Sequence, residues 1–133
     1  MRKITLAILI LSVLLLGCNN KDYAEGDLSR LNDIQVAIEN AGLMIERTSS
    51  IYNSTLAKEQ STYRTDDGSL IAIYIFDSEK LDEGKIELNN NINVNDGDIL
   101  LKYNKDNFQI ILIKANKTDF EVENKLTTAL NNL

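Results

Sequence analysis

The chain contains no histidine, no proline and no tryptophan, and its single cysteine stands at position 18. Without histidine, Ser-His-Asp and Cys-His catalysis and histidine-ligated zinc are excluded. One cysteine has no disulfide partner, and no imidazole is present to activate it or to join it on a metal. The strings of phosphate loops, dinucleotide-binding turns and nucleophile elbows (GxxxxGK[ST], GxGxxG, GxSxG) are absent, as is SxxK. Aromatics are few, five tyrosines and three phenylalanines in 133 residues. The twenty acidic residues always offer carboxylate pairs, but their spacing singles out none of them from a solvated surface.

What is present begins at the first residue. Arg2 and Lys3 are followed by Ile4 to Leu16, an uncharged and almost wholly apolar run, and then by Gly17-Cys18. This is the order of a secretory signal: a positive start, an apolar stretch and a small-residue cleavage site. At 1.5 Å per residue the apolar run reaches roughly 20 Å, short of a hydrocarbon core of about 30 Å. A signal therefore fits better than a membrane-spanning helix.

Leu15-Leu16-Gly17-Cys18 resembles the lipobox of bacterial lipoproteins, with leucine at −3 and glycine at −1 from the modified cysteine. The resemblance covers only these first eighteen residues, and it implies a mechanism. The Cys18 thiol receives a diacylglyceryl group, the peptide is cut before it, and Cys18 becomes the first mature residue. A thiolate is the strong nucleophile this step needs, and Gly17 lets a peptidase approach the backbone closely. Two acyl chains anchor stably where one is marginal. The implied location is the extracytoplasmic face of the cell membrane. An abundance of Asn, Lys and Ile agrees with a low-GC Gram-positive source, and the layout resembles that of short lipoproteins of Bacillus-like bacteria.

Residues 1–17 are thus expected to be a signal peptide, residues 18–26 the lipidated cysteine and its tether, and residues 27–133 one domain. The mature chain carries twelve basic against twenty acidic residues, a net charge of −8. Such a domain is a poor ligand for nucleic acid and is repelled by anionic headgroups. Its length suffices for one hydrophobic core without disulfides.

Asp27 is a helix-capping residue type, and Leu28, Leu31, Ile34, Ile38 and Ala41 recur at helical spacing, with Gly42 as the expected C′ position. Leu43 to Thr48 predicts a short strand. Ser49 to Gln60 is polar, the longest irregular stretch, and a place for a binding surface. Asp66-Asp67-Gly68 joins Ser61–Thr65 to Ser69–Phe76 in the clearest hairpin signal, a tight turn through Asp-Gly. The second of these strands is apolar on both alternating faces, as is Ile110–Ile113. Both read as strands covered on two sides.

Asp77 or Ser78 caps a predicted helix to Asn90, with Leu81, Leu88 and Ile92 inward, although Gly84 and Asn89 to Asn91 weaken it. Asp98–Asn104 and Phe108–Ala115 predict a second hairpin. A last helix is expected from Asn116 or Thr118 to the end, with Phe120, Glu123, Leu126, Leu130 and Leu133 along one side. Phe76, Phe108 and Phe120 fall on core positions in this reading, and Tyr63 and Tyr103 could share an exposed aromatic contact. The order α-β-β-β-α-β-β-α predicts an α+β fold, a two-layer sandwich of mostly antiparallel sheet with helices on one face. Its other face would be closed by short loops or by a homodimer through the sheet. Two successive β-β-α units share too little sequence to claim a duplication.

Asn91, Asn93 and Asn95 imitate half of a calcium loop. Asp96 stands where that loop requires glycine, however, and Lys102 where it requires glutamate. No catalytic, metal or cofactor residue is therefore named. The expected function is a non-catalytic, membrane-anchored envelope lipoprotein whose domain binds another envelope protein. The alternative is a lipoprotein that binds calcium or an envelope component.

Overall fold

The computed structural model describes residues 29–133. Cys18, the signal segment, the tether, Asp27 and Leu28 lie outside the described residues. The first helix, α1 (Ser29–Asn40), turns Ile34 and Ile38 fully inward. It ends in a Schellman motif: Gly42 at φ 90 donates to the Glu39 carbonyl at 2.9 Å, and Leu43 donates to Ile38 at 3.3 Å. Glycine takes this left-handed conformation without steric cost, and the two bonds satisfy helix-end carbonyls.

The strands β1 (Ile45–Thr48), β2 (Glu59–Thr65), β3 (Leu70–Ile75), β4 (Ile99–Lys105) and β5 (Phe108–Lys114) form one antiparallel sheet in the order β1-β2-β3-β5-β4. A 3₁₀ turn at Ser78–Lys80 leads into α2 (Leu81–Asn91), and α3 (Glu121–Asn131) closes the chain. The α+β class and the element order are as the sequence predicts. The β2–β3 connection is looser than a two-residue turn. Gly68 donates to the Thr65 carbonyl at 3.0 Å, and Thr65 donates to Ser69 at 2.9 Å. This is the longer loop that hairpins build around an initial turn and a left-handed residue.

Register explains the two apolar faces. Ile71, Ile73 and Ile75 lie opposite Leu112, Ile110 and Phe108, and all face α1 and α3, where Val122, Leu126 and Ala129 complete the main core. The alternate residues Ala72, Tyr74, Phe76 and Ile111 form a second core with Leu88 and Ile92. Ile51, Tyr52, Leu56 and Ala57 pack against it from the irregular segment before β2. Because α2 covers the face opposite α1 and α3, the sheet lies between two layers rather than under one. The helices-on-one-face arrangement is corrected accordingly: α2 follows a strand whose second apolar face needs cover of its own. The described residues bury both faces of β3 without a second copy.

The two successive β-β-α units are not related by a two-fold axis. β3 and β5 run antiparallel, so a two-fold axis normal to the sheet would be needed to exchange the hairpins, and it would leave α2 and α3 on the same face.

Three aromatic expectations change. Phe120 is 60% exposed rather than in the core, because α3 starts at Glu121, later than Asn116 or Thr118 suggested. The Asp119 carboxylate accepts the Glu121 N–H at 2.8 Å, while Asn116 closes a local turn with Thr118. Tyr63 is buried, with its hydroxyl donating to Gln35 at 3.1 Å, and Tyr103 is half-buried, so the two share no exposed contact.

Candidate functional site

Of the stretch Ser49 to Gln60, singled out above as a place for a binding surface, Glu59 and Gln60 open β2, and the irregular residues 49–58 are tied down through one carboxylate. Glu87 projects from α2 between exposed Ile86 and buried Leu88. It accepts from the Ser54 hydroxyl at 2.5 Å, the Thr55 N–H at 2.9 Å, the Thr55 hydroxyl at 2.7 Å and the Tyr52 hydroxyl at 3.1 Å. Tyr74, standing on the same face of β3, donates its hydroxyl to the Tyr52 carbonyl at 2.8 Å. The side chain of Gln60 accepts from the Ser54 N–H at 2.8 Å. Sheet, helix and loop thus meet in one polar knot above the second core.

The acidities follow from these contacts. Burial works to raise the Glu87 carboxyl, but the bonds from Ser54, Thr55 and Tyr52 outweigh it and bring it down to about 2. Burial pushes Tyr74 up to about 12, and burial, then the hydrogen bond to Glu87 and that carboxylate's charge, raise Tyr52. This sets the chemistry. A carboxylate held so low is a feeble general base at neutral pH. The Ser54 oxygen is buried and already accepts from Leu56 and Ala57 N–H groups at 3.2 and 3.0 Å. The arrangement fixes a loop; it does not prepare a nucleophile.

A second polar feature lies where α1 ends. Met44, Asp66, Asp67, Asp119, Glu121 and Lys125 line an open cleft of about 360 Å³. Lys125 already bonds Glu121 at 2.5 Å and the Gly42 carbonyl at 3.1 Å. The Asp67 carboxyl, which burial would raise, is held below its usual range by Thr65 and Ser69. Its oxygens accept from the Ser69 N–H and hydroxyl at 3.0 and 3.1 Å, so it is spent on the hairpin loop.

The calcium-like stretch is distributed differently from a loop that wraps an ion. Asn91 turns its amide back onto the Glu87 carbonyl at 2.8 Å. Asp96 and Asp98 are exposed on a turn closed by the Asp98 N–H on Asn95 at 3.0 Å. Among the described residues, no three acidic, cysteine or histidine side chains gather within reach of one metal ion. Nor, among them, is any helix long and apolar enough to cross a membrane.

Glu87 carried no signal in the sequence: it is one of several acids on a polar helix, and its partners lie more than thirty positions upstream. Cys18, the one residue the sequence assigns to chemistry, lies outside the described residues. No protein-family model, no curated protein and no solved structure matches this chain.

Proposed function

We propose that the chain is the precursor of a lipoprotein anchored at the extracytoplasmic face of the cell membrane, and that its folded domain is a non-catalytic protein-interaction module. The observation that carries the first half is Leu15-Leu16-Gly17-Cys18 directly after a short apolar run and a basic start. The second half is supported by how the polar groups are used. The carboxylate with the most perturbed acidity, Glu87, holds a loop and is too weak a base for proton transfer near neutral pH.

If the domain is anchored in this way, the position of α1 supports one orientation for it. Arg30, the second of the described residues, bonds Asp106 in the β4–β5 turn at 2.7 Å. The start of α1 therefore lies at the β4–β5 end of the sheet, and in this reading that is the end from which the tether would lead to the membrane. The β2–β3 turn and the cleft around Met44 lie at the other end, directed away from the bilayer in this reading.

Cys18→Ala is expected to accumulate as an unprocessed, unlipidated precursor, read by intact mass. A normal acylated product from that variant rejects the lipobox. In-cell crosslinking of the tagged, anchored protein, with Cys18→Ala as control, tests the module: a dominant envelope protein captured only by the anchored form is the expected result. Absence of any specific protein adduct, together with a thermal shift on adding calcium chloride, would replace this reading with that of a cation-binding lipoprotein.

A further inference from the structure

The sheet has two outer edges, and they differ. The β1 edge is four residues long and carries both Glu46 and Arg47. The β4 edge is seven residues long and pairs, among the described residues, only with β5. Its outward backbone N–H and C=O groups are a template for another strand. Beside it, β4 residues 102–105 together with Thr127, Leu130 and Asn131 of α3 line an open groove of about 370 Å³. That lining contains two lysines and no carboxylate, in a chain with 20 acidic against 14 basic residues.

We propose that the β4 edge takes up an extended, acidic segment of a partner protein as a sixth strand, with carboxylates of that segment meeting Lys102 and Lys105. The proposal rests on the reading of the domain as a protein-interaction module and specifies its surface. Strand addition supplies main-chain hydrogen bonds for affinity, and alternate side chains supply specificity. Both lysines are held at the edge. Lys102 bonds the Asn89 side chain of α2 on one face of the sheet, and Lys105 bonds the Leu130 carbonyl of α3 on the other. Alternation puts Tyr103 on the Lys105 face, beside Leu130, as an apolar floor for the groove.

An antiparallel partner strand then needs an acid opposite Lys105, any residue opposite Asn104, an apolar residue opposite Tyr103 and an acid opposite Lys102. The pattern is acid-x-apolar-acid. A second copy of the chain fits less well. Antiparallel self-pairing centred on β4 sets Lys102 against its own counterpart, and like charges directly opposite disfavour a pair.

The test uses the full-length chain in cells, with a photo-crosslinking benzophenone side chain in place of Asn104 on the edge or, as control, of Ile86, which is 60% exposed on α2. The expected adduct forms at 104 and not at 86, and the crosslinked segment, sequenced by mass spectrometry, carries acid-x-apolar-acid. Lys102→Glu with Lys105→Glu is expected to reduce the adduct by about tenfold or more, since reversed charges repel the same segment. Lys102→Gln with Lys105→Gln gives a smaller loss without new repulsion. Circular dichroism of each variant confirms that the sheet is retained. An adduct that survives charge reversal, a segment without paired acids, or an adduct with a second copy overturns the proposal. Crosslinking at 86 and not at 104 overturns the edge but leaves an interaction module. No adduct at either position, or with benzophenone at Met44, rejects both.

Discussion

Gly84 and Phe76 touch more closely than any other residue type at position 84 would allow. A Cβ built on Gly84 would stand 2.1 Å from Phe76 Cε1 and 2.4 Å from Cδ1, and the ring is fully buried. Helix α2 can approach the second face of the sheet only because this position has no side chain. Gly84→Ala gains about 1 kcal/mol in helix propensity. Overpacking a core position costs about 3 kcal/mol at the upper end of its usual range, so a net loss of about 2 kcal/mol is expected. Urea unfolding followed by circular dichroism reads it, and a variant as stable as the parent contradicts the close approach.

The Glu87 knot makes stability depend on acid. Its carboxyl titrates near 2 when folded, below the ordinary 4.5. The unfolded chain therefore binds a proton first as pH falls. The stabilisation is complete above about pH 4.5 and is lost between there and about pH 2. Contact with solvent reduces the contribution to on the order of 1 kcal/mol. Asp67, also held low, acts in the same direction. Denaturant unfolding at about pH 6 and about pH 3 should show the parent losing more stability than Glu87→Gln across this window. Equal losses would mean that the bonds to residues 52–55 do not set the acidity.

The same carboxylate predicts where motion begins. Glu87→Ala removes the acceptor of four bonds while leaving Leu88 and the sheet intact. Hydrogen exchange should accelerate at Ser54 to Ala57 and remain slow in β3 and β5, since local opening follows the loss of local contacts. Uniform acceleration across the domain would show that Glu87 supports the whole fold and not this segment.

Lys114 ends β5 on the α3 side, almost wholly buried, with Glu123 as its ion-pair partner and the Phe120 ring 4.6 Å from its Nζ. Glu123→Ala would leave a buried ammonium unpaired, a loss of about 3 kcal/mol or more. Adding Lys114→Met removes that charge and should recover much of the loss, because an apolar side chain of similar length needs no partner. Thermal melts of the two variants check this. A double variant no more stable than Glu123→Ala would show that the pair is not what Lys114 requires.

Local pattern made most of the fold legible. Helical spacing marked Ile34 and Ile38, short unbroken apolar runs marked β3 and β5, and Gly42 marked the end of α1. Each signal depends on residues within a turn or two of one another. The candidate surfaces were less legible. Ser49 to Gln60 drew notice as a long polar stretch, yet its centre is fixed by Glu87, far along the chain. The β4 edge could not be read at all, because strand order is not local: consecutive β3 and β4 are separated in the sheet by β5.

The sequence by itself determined the number and order of the elements, and that β3 and β5 need cover on both faces, since periodicities of two and about 3.6 residues are properties of the chain. Only the tertiary structure decided what provides that cover. The stripe of α2 is weak and interrupted by Gly84, and the packing of Tyr52 and Leu56 beside it rests on bonds that no local pattern announces. Glycine at 84 looks like a defect in a helix read alone; against Phe76 it is the space that lets the helix reach the sheet.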